Sequence, residues 1–244
     1  MKHLMKLFAL LMFAALISSC NQQMASKEES SKNVIPLMDK VLTEKAQSEL
    51  SPDDIIQQFK EGNERYQKNQ LTARDLPAQV SKTTHGQYPE AIILSCIDSR
   101  VPVETVFDKG VGDVFVTRVA GNFVSEDILG GMEYACKVSG SKVILVMGHE
   151  HCGAVKAAID DVKLGNITPM LAKIRPVVES IEYEGDKTSK NEEFVQKVCE
   201  NNVSYTIQQI RDKSPILKEL EDKGAIKIVG AVYDLDNGKV NFLD

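Results

Sequence analysis

Ala91-Ile92-Ile93-Leu94-Ser95-Cys96-Ile97-Asp98-Ser99-Arg100 is the stretch that decides the fold. Its first half is an unbroken apolar run, too short for a helix. A strand with one wet face alternates apolar and polar residues, so an unbroken run marks a strand covered on both faces, as in a parallel sheet. Its second half turns abruptly to a thiol, a carboxylate and a guanidinium. Chemistry-bearing residues therefore follow the carboxyl end of a buried strand, where sheets of this class bind their ligands.

Working outward, residues 113–119, 142–147 and 226–233 read as further strands, and Asp236-Asn237-Gly238 turns the last one back into Val240-Asn241-Phe242. Helical patterns lie between them. Ser51-Pro52-Asp53-Asp54 is a helix start, with Ile55, Phe59, Gly62 and Tyr66 along one face. Ser125 caps a helix running to about residue 138, another begins at Gly153, and more helix covers roughly 169–183 and 191–213. Alternating strands and helices predict an α/β fold. Its mainly parallel central sheet would hold about four parallel strands plus a C-terminal antiparallel edge strand, flanked by helices. Gly110-Val111-Gly112 and Gly130-Gly131 lack the spacing of a phosphate loop and read as turn and close-packing glycines.

The third strand runs into His149-Glu150-His151-Cys152-Gly153. Cys96, His149 and Cys152 supply two soft sulfurs and an imidazole, a donor set suited to zinc. A structural zinc site closes with four protein ligands, whereas three leave a position for water, so metal-assisted catalysis is the expectation. Asp98 and Arg100 form a charged pair beside the first sulfur. A cysteine–histidine hydrolase fits less well, because two cysteines flank one histidine and no oxyanion loop is evident. Cys136 lies on an apolar helix face with Ile128, Met132 and Ala135 and reads as a small buried hydrophobe; a Cys136–Cys199 bridge stays open.

The bulk numbers suit one sizeable globular core: 244 residues, 43% hydrophobic and 26% charged. A net charge of −6, no tryptophan and 6% aromatics argue against a nucleic-acid partner. Residues 1–19 read as a signal peptide, with Lys2 and Lys6 before a short apolar run from Leu7 to Ile17. Leu16-Ile17-Ser18-Ser19-Cys20 resembles the lipobox of bacterial lipoproteins, which implies lipidation at Cys20. The chain would then be exported and anchored to a bacterial membrane, in the periplasm or at the cell surface. Residues 20–50 form a polar tether with a short N-terminal arm, and 51–244 the catalytic domain.

From about Ser51 onward the sequence resembles the β-class carbonic anhydrases. Cys96-Ile97-Asp98-Ser99-Arg100-Val101-Pro102 is similar to that family's first signature, Gly148-His149-Glu150-His151-Cys152-Gly153-Ala154 to its second, and Arg118-Val119-Ala120-Gly121-Asn122 to the stretch between them. The resemblance implies one Zn(2+) per chain on Cys96, His149 and Cys152, with Asp98 joining as a fourth ligand only in a closed state. It implies reversible hydration of carbon dioxide to bicarbonate, with zinc-bound hydroxide as nucleophile and the Asp98/Arg100 dyad controlling the fourth position. Gln87, Phe115, Tyr134 and Gly121 fall on substrate-pocket positions, built in the family partly across a subunit interface, so a homodimer or homotetramer is expected. Arg118 and Tyr233 fall where some members hold an inhibitory bicarbonate, but the tryptophan those members add is missing. Relatives that hydrolyse carbon disulfide, and a zinc-binding lipoprotein without catalysis, are the alternatives. His151 is either a proton relay or a solvated loop residue.

Overall fold

In the computed structural model, which describes residues 37–243, the apolar run is strand β1 (Ala91–Ser95), with every residue buried. It is flanked in parallel by β2 (Val114–Arg118) and β3 (Val143–His149). Beyond β3 lies β4 (Lys227–Tyr233), again parallel, and then β5 (Val240–Phe242), antiparallel. The order β2-β1-β3-β4-β5 matches the expected sheet, including its antiparallel edge. The signal peptide, Cys20 and the tether as far as residue 36 lie outside the described residues. Among the described residues no helix is long and apolar enough to cross a membrane.

The period of two along each strand sorts the core into two layers. One face presents Ile92, Leu94, Ile144, Val146, Ile228 and Val232. The other presents Ala91, Ile93, Val143, Leu145, Met147 and Ala231 to Ile55 and Phe59. Those two belong to helix α2 (Pro52–Gln67), which Ser51 and Asp54 start with a reciprocal capping box. A Cβ on Gly62 of α2 would overlap the carbonyl oxygen of Phe107, so glycine is what lets this helix lie against that backbone. Before it, α1 (Glu44–Glu49) was not foreseen from the sequence. Its buried Gln47 donates to the carbonyls of Pro89 (2.7 Å) and Ser139 (2.8 Å).

After α3 (Leu76–Lys82) and the short α4 (Val103–Val106), the chain passes through a buried charged knot at Asp108. Its carboxylate accepts from Arg65 Nε (2.6 Å), Arg74 Nη1 (2.5 Å), Thr72 N (3.1 Å) and Thr72 Oγ1 (2.7 Å). Burial alone would raise its pKa, but the donors from Arg74, Arg65 and Thr72 bring it down to about 2.

Three expectations need correction. The helix capped by Ser125 is α-helical only over α5 (Glu126–Glu133) and then widens into a π-helix (Tyr134–Val138). Gly130 and Gly131 are not close-packing residues within the chain, because a Cβ at either would meet nothing within 4 Å. Following α6 (Gly153–Ile159), the helix expected over 169–183 is two short ones, α7 (Ile167–Leu171) and α8 (Arg175–Ser180). Pro176 in the first turn of α8 explains the break: it has no N–H to give the preceding turn, and its ring excludes continuation. Then α9 (Glu192–Lys213) packs on β3 and β4, and Ser214 ends it while capping α10 (Pro215–Asp222). Cys136 and Cys199 are both buried and free, in separate core clusters, so the bridge left open by the sequence is not made.

Candidate metal centre

The parallel register of β1 and β3 sets the site. Ser95 pairs with Met147, so Cys96, the residue after β1, and His149, the last of β3, emerge at the same sheet edge. Three residues on, Cys152 sits at the start of α6. The two Sγ atoms are 4.0 Å apart, and all three donor atoms lie within 4.8 Å of one another, all on buried residues. Tetrahedral bonds of about 2.3 Å to one ion place two sulfurs roughly 3.8 Å apart, so the spacing suits a shared zinc and is far too long for a disulfide.

His149 supplies the sharper test of fit. Its Nδ1 lies 2.7 Å from the carbonyl of Glu150, which can only accept, so Nδ1 carries the proton and Nε2 a lone pair. That Nε2 is buried with no hydrogen-bond partner. A buried acceptor left unpaired is costly, and a metal ion between it and the two sulfurs removes the cost. The residues present therefore fit zinc. The hydrogen bond from the Cys152 thiol, supported by the Gly121 N–H, draws the Cys96 thiol well below its ordinary range. Cys152, the donor in that pair and deeply buried, is pushed up.

Asp98 and Arg100 sit together at the mouth. Asp98 accepts from Arg100 N (2.9 Å), Nε (2.9 Å) and Nη2 (2.8 Å), and these bonds hold its carboxyl well below the usual carboxylate range. Its Oδ2 is 3.7 Å from His149 Nε2, yet it is not gathered with the three ligand atoms. Here the carboxylate is paired with Arg100 and stands outside the cluster of Cys96, His149 and Cys152.

Three supports were not foreseen. The Arg118 side chain donates to the carbonyls of Cys96 (2.9 Å) and Val101 (2.7 Å), bracing the loop that carries the dyad. Gly121, expected at the substrate, donates its N–H to Cys96 Sγ (3.3 Å). Asn202 of α9 donates to the Gly121 carbonyl (2.8 Å). Nothing in the sequence around Asn202 signals this. Tyr233 spends its hydroxyl on Tyr66 (3.2 Å), and with Arg118 committed to the loop the two do not converge on an anion.

The other expected pocket residues are not at the centre within one chain. Gln87 is exposed before β1, beside Gly112, at the amino end of the sheet. Phe115 and Tyr134 meet edge-to-face with centroids 6.2 Å apart, on β2 and the π-helix. His151 is in a left-handed turn (φ 52°), 3.9 Å from Glu192. A cavity of about 570 Å³ lined by Leu71, Arg74, Asp108 and Val114 lies at the amino end of β2, remote from the metal ligands.

Residues 91–240 match the family model described as carbonic anhydrase. Carbonic anhydrase 2 of Mycobacterium tuberculosis is 35% identical over 193 residues, covering 76% of this chain and 90% of that protein. The carbonic anhydrase of Mycolicibacterium smegmatis is 34% identical over 188 residues, covering 75% and 88%. A Coccomyxa β-carbonic anhydrase in complex with acetazolamide superposes with a TM-score of 0.60 at 30% identity, covering 67% of this chain and 75% of that one. One of two tetrameric β-carbonic anhydrases from Sordaria macrospora gives 0.59 at 26%, covering 68% and 86%. With its Cys96–His149–Cys152 cluster at the carboxyl edge of a parallel sheet, this chain belongs to the β-class carbonic anhydrases, a family of lyases.

Proposed function

We propose that the chain holds one zinc ion on Cys96, His149 and Cys152 and uses it to interconvert carbon dioxide and bicarbonate. The observation that carries this reading is the partnerless, buried Nε2 of His149, facing two sulfurs and lying 3.7 Å from Asp98. When bound, the ion supplies Lewis acidity that makes a water nucleophilic enough to attack carbon dioxide. Asp98 provides the lone pair that orients that water. Arg100 keeps the carboxylate ionised and turned toward itself, leaving the fourth position open. Arg118 fixes the loop that carries both. Two thiolates cancel the charge of the ion, so water is acidified less than at a tris-histidine site and activity rises on the alkaline side. Stopped-flow hydration across pH, with metal content measured on the same full-length protein, tests this. One zinc per chain and a rate rising with pH are expected; no zinc, or a rate flat between about pH 6 and 9, overturns it.

The same reading makes the protein a homodimer or homotetramer. Gln87, Phe115 and Tyr134 reach a metal centre only from a second copy. The half-buried edge strand β2, the exposed Tyr134 and Val138 and the open Gly130–Gly131 face offer a surface for one. Sedimentation equilibrium giving a monomer would overturn it. Export and lipid anchoring at Cys20 rest on the composition of residues 1–20 alone. Incorporation of labelled palmitate that is lost in Cys20→Ala is the expected result, and equal labelling of both proteins removes the anchor.

A further inference from the structure

We infer that Asn202, on α9 and outside the metal's own ligands, is a positioning residue for the metal centre, acting through the backbone of Gly121 on the sulfur of Cys96. The inference rests on the zinc reading above and extends it. Gly121 is held at both ends: its N–H donates to Cys96 Sγ at 3.3 Å, and its carbonyl accepts from Asn202 Nδ2 at 2.8 Å. The residue lies at φ +82°, and a Cβ there would overlap Cδ1 of Ile174. No side chain can hold this residue, so its aim comes from what bonds its backbone.

Asn202 is 1% exposed, and its Oδ1 has no hydrogen-bond partner. The orientation of the amide is fixed by chemistry, since the Gly121 carbonyl accepts and so faces the NH₂. For packing alone an apolar side chain of this size would serve the core better, because it leaves no buried acceptor unpaired. What asparagine adds is a donor aimed at Gly121. That donor keeps the Gly121 N–H on the sulfur, where it draws electron density from a thiolate ligand and fixes the Cys96 Sγ position. Thr206, one helical turn on, is equally buried with an unpartnered hydroxyl but makes no such bond, and so serves as an internal control.

Cobalt(II) substituted for zinc in the full chain supplies the probe, because its sulfur-to-metal charge-transfer band reports on the thiolates without any turnover. In Asn202→Leu, and in the smaller Asn202→Ala, the band should move to longer wavelength as the Cys96 thiolate becomes more electron-rich. Zinc loss to a chelator should speed up about 10- to 100-fold. Thr206→Val should leave both unchanged. A band and release rate unchanged in the folded Asn202 variants overturn the inference and leave the zinc reading standing. An equal shift in Thr206→Val also overturns it, because helix packing would then be the cause. If the wild-type chain takes up neither cobalt nor zinc, the zinc reading falls, and this inference with it.

Discussion

Replacing Asp108 by asparagine keeps the shape of the side chain and one acceptor oxygen but removes the charge between two arginines. Asp108 has a side chain 1% exposed, and Arg74, its closer partner, is 14% exposed, so water replaces little of what is lost. Breaking a buried pair by removing one partner costs about 3–5 kcal/mol. The pH dependence gives a second handle. The pKa falls from 3.8 to about 2 in the folded protein, which is worth about 2 kcal/mol by linkage. Because the folded value is depressed, this stability is fully present above the unfolded pKa near 3.8 and is lost as pH drops through about 2. Urea unfolding of wild type and Asp108→Asn should therefore differ by about 3 kcal/mol near neutrality and by about 2 kcal/mol less in strong acid. The mutated residue precedes β2, at the opposite end of the sheet from His149, so turnover of the folded variant should be unaltered. A gap of the same size at both pH values, or one under about 1 kcal/mol near neutrality, would refute the reasoning.

Arg100→Leu should retain zinc but lose on the order of a hundredfold in hydration rate, since Asp98 would be free to swing onto the metal; full activity in stopped flow would remove Arg100 from the dyad. Gly121→Ala must place a Cβ at a left-handed φ and against Ile174, at a combined cost of about 2–4 kcal/mol in a thermal melt. An unshifted melting curve would mean that the turn relaxes freely. His151→Ala should leave turnover in weak buffer unchanged, since His151 is turned toward Glu192; a buffer-rescued loss would instead make it a proton relay.

Much of this was legible because the sheet is buried on both faces. The unbroken runs of β1 and β3 admit no reading as amphipathic helices, and their polar termini point to one edge, so Cys96, His149 and Cys152 converge as anticipated. Legibility ended where geometry depends on long-range backbone contacts. Asn202 lies 81 residues from the carbonyl it holds, and nothing local distinguishes it from other polar helix residues. Arg118 was visible as part of a matching stretch and as a position of an inhibitory bicarbonate site, not as the brace of the dyad loop. Helices α1 and α10 were missed for a different reason: six- and eight-residue segments carry too few turns for a periodic pattern, although Ser214-Pro215 did offer a start signal. The π-helix after α5 was unreadable, since lengthening the backbone hydrogen-bond step by one residue leaves no compositional mark.

The two central strands carry the ligands at their tips, and that has a consequence for how the protein matures. Cys96 and His149 do not meet until β1 and β3 have paired in register across the crossover between them, so a nascent chain offers an incoming ion isolated thiols rather than a binding site. On the proposed zinc reading, metal loading is therefore a late event, following assembly of the sheet. If the chain is translocated before it folds, the ion it captures is drawn from the compartment beyond the membrane and not from the one where it was synthesised. The supply of zinc in that outer space, more than the amount of polypeptide made, would then set how many molecules become competent enzymes.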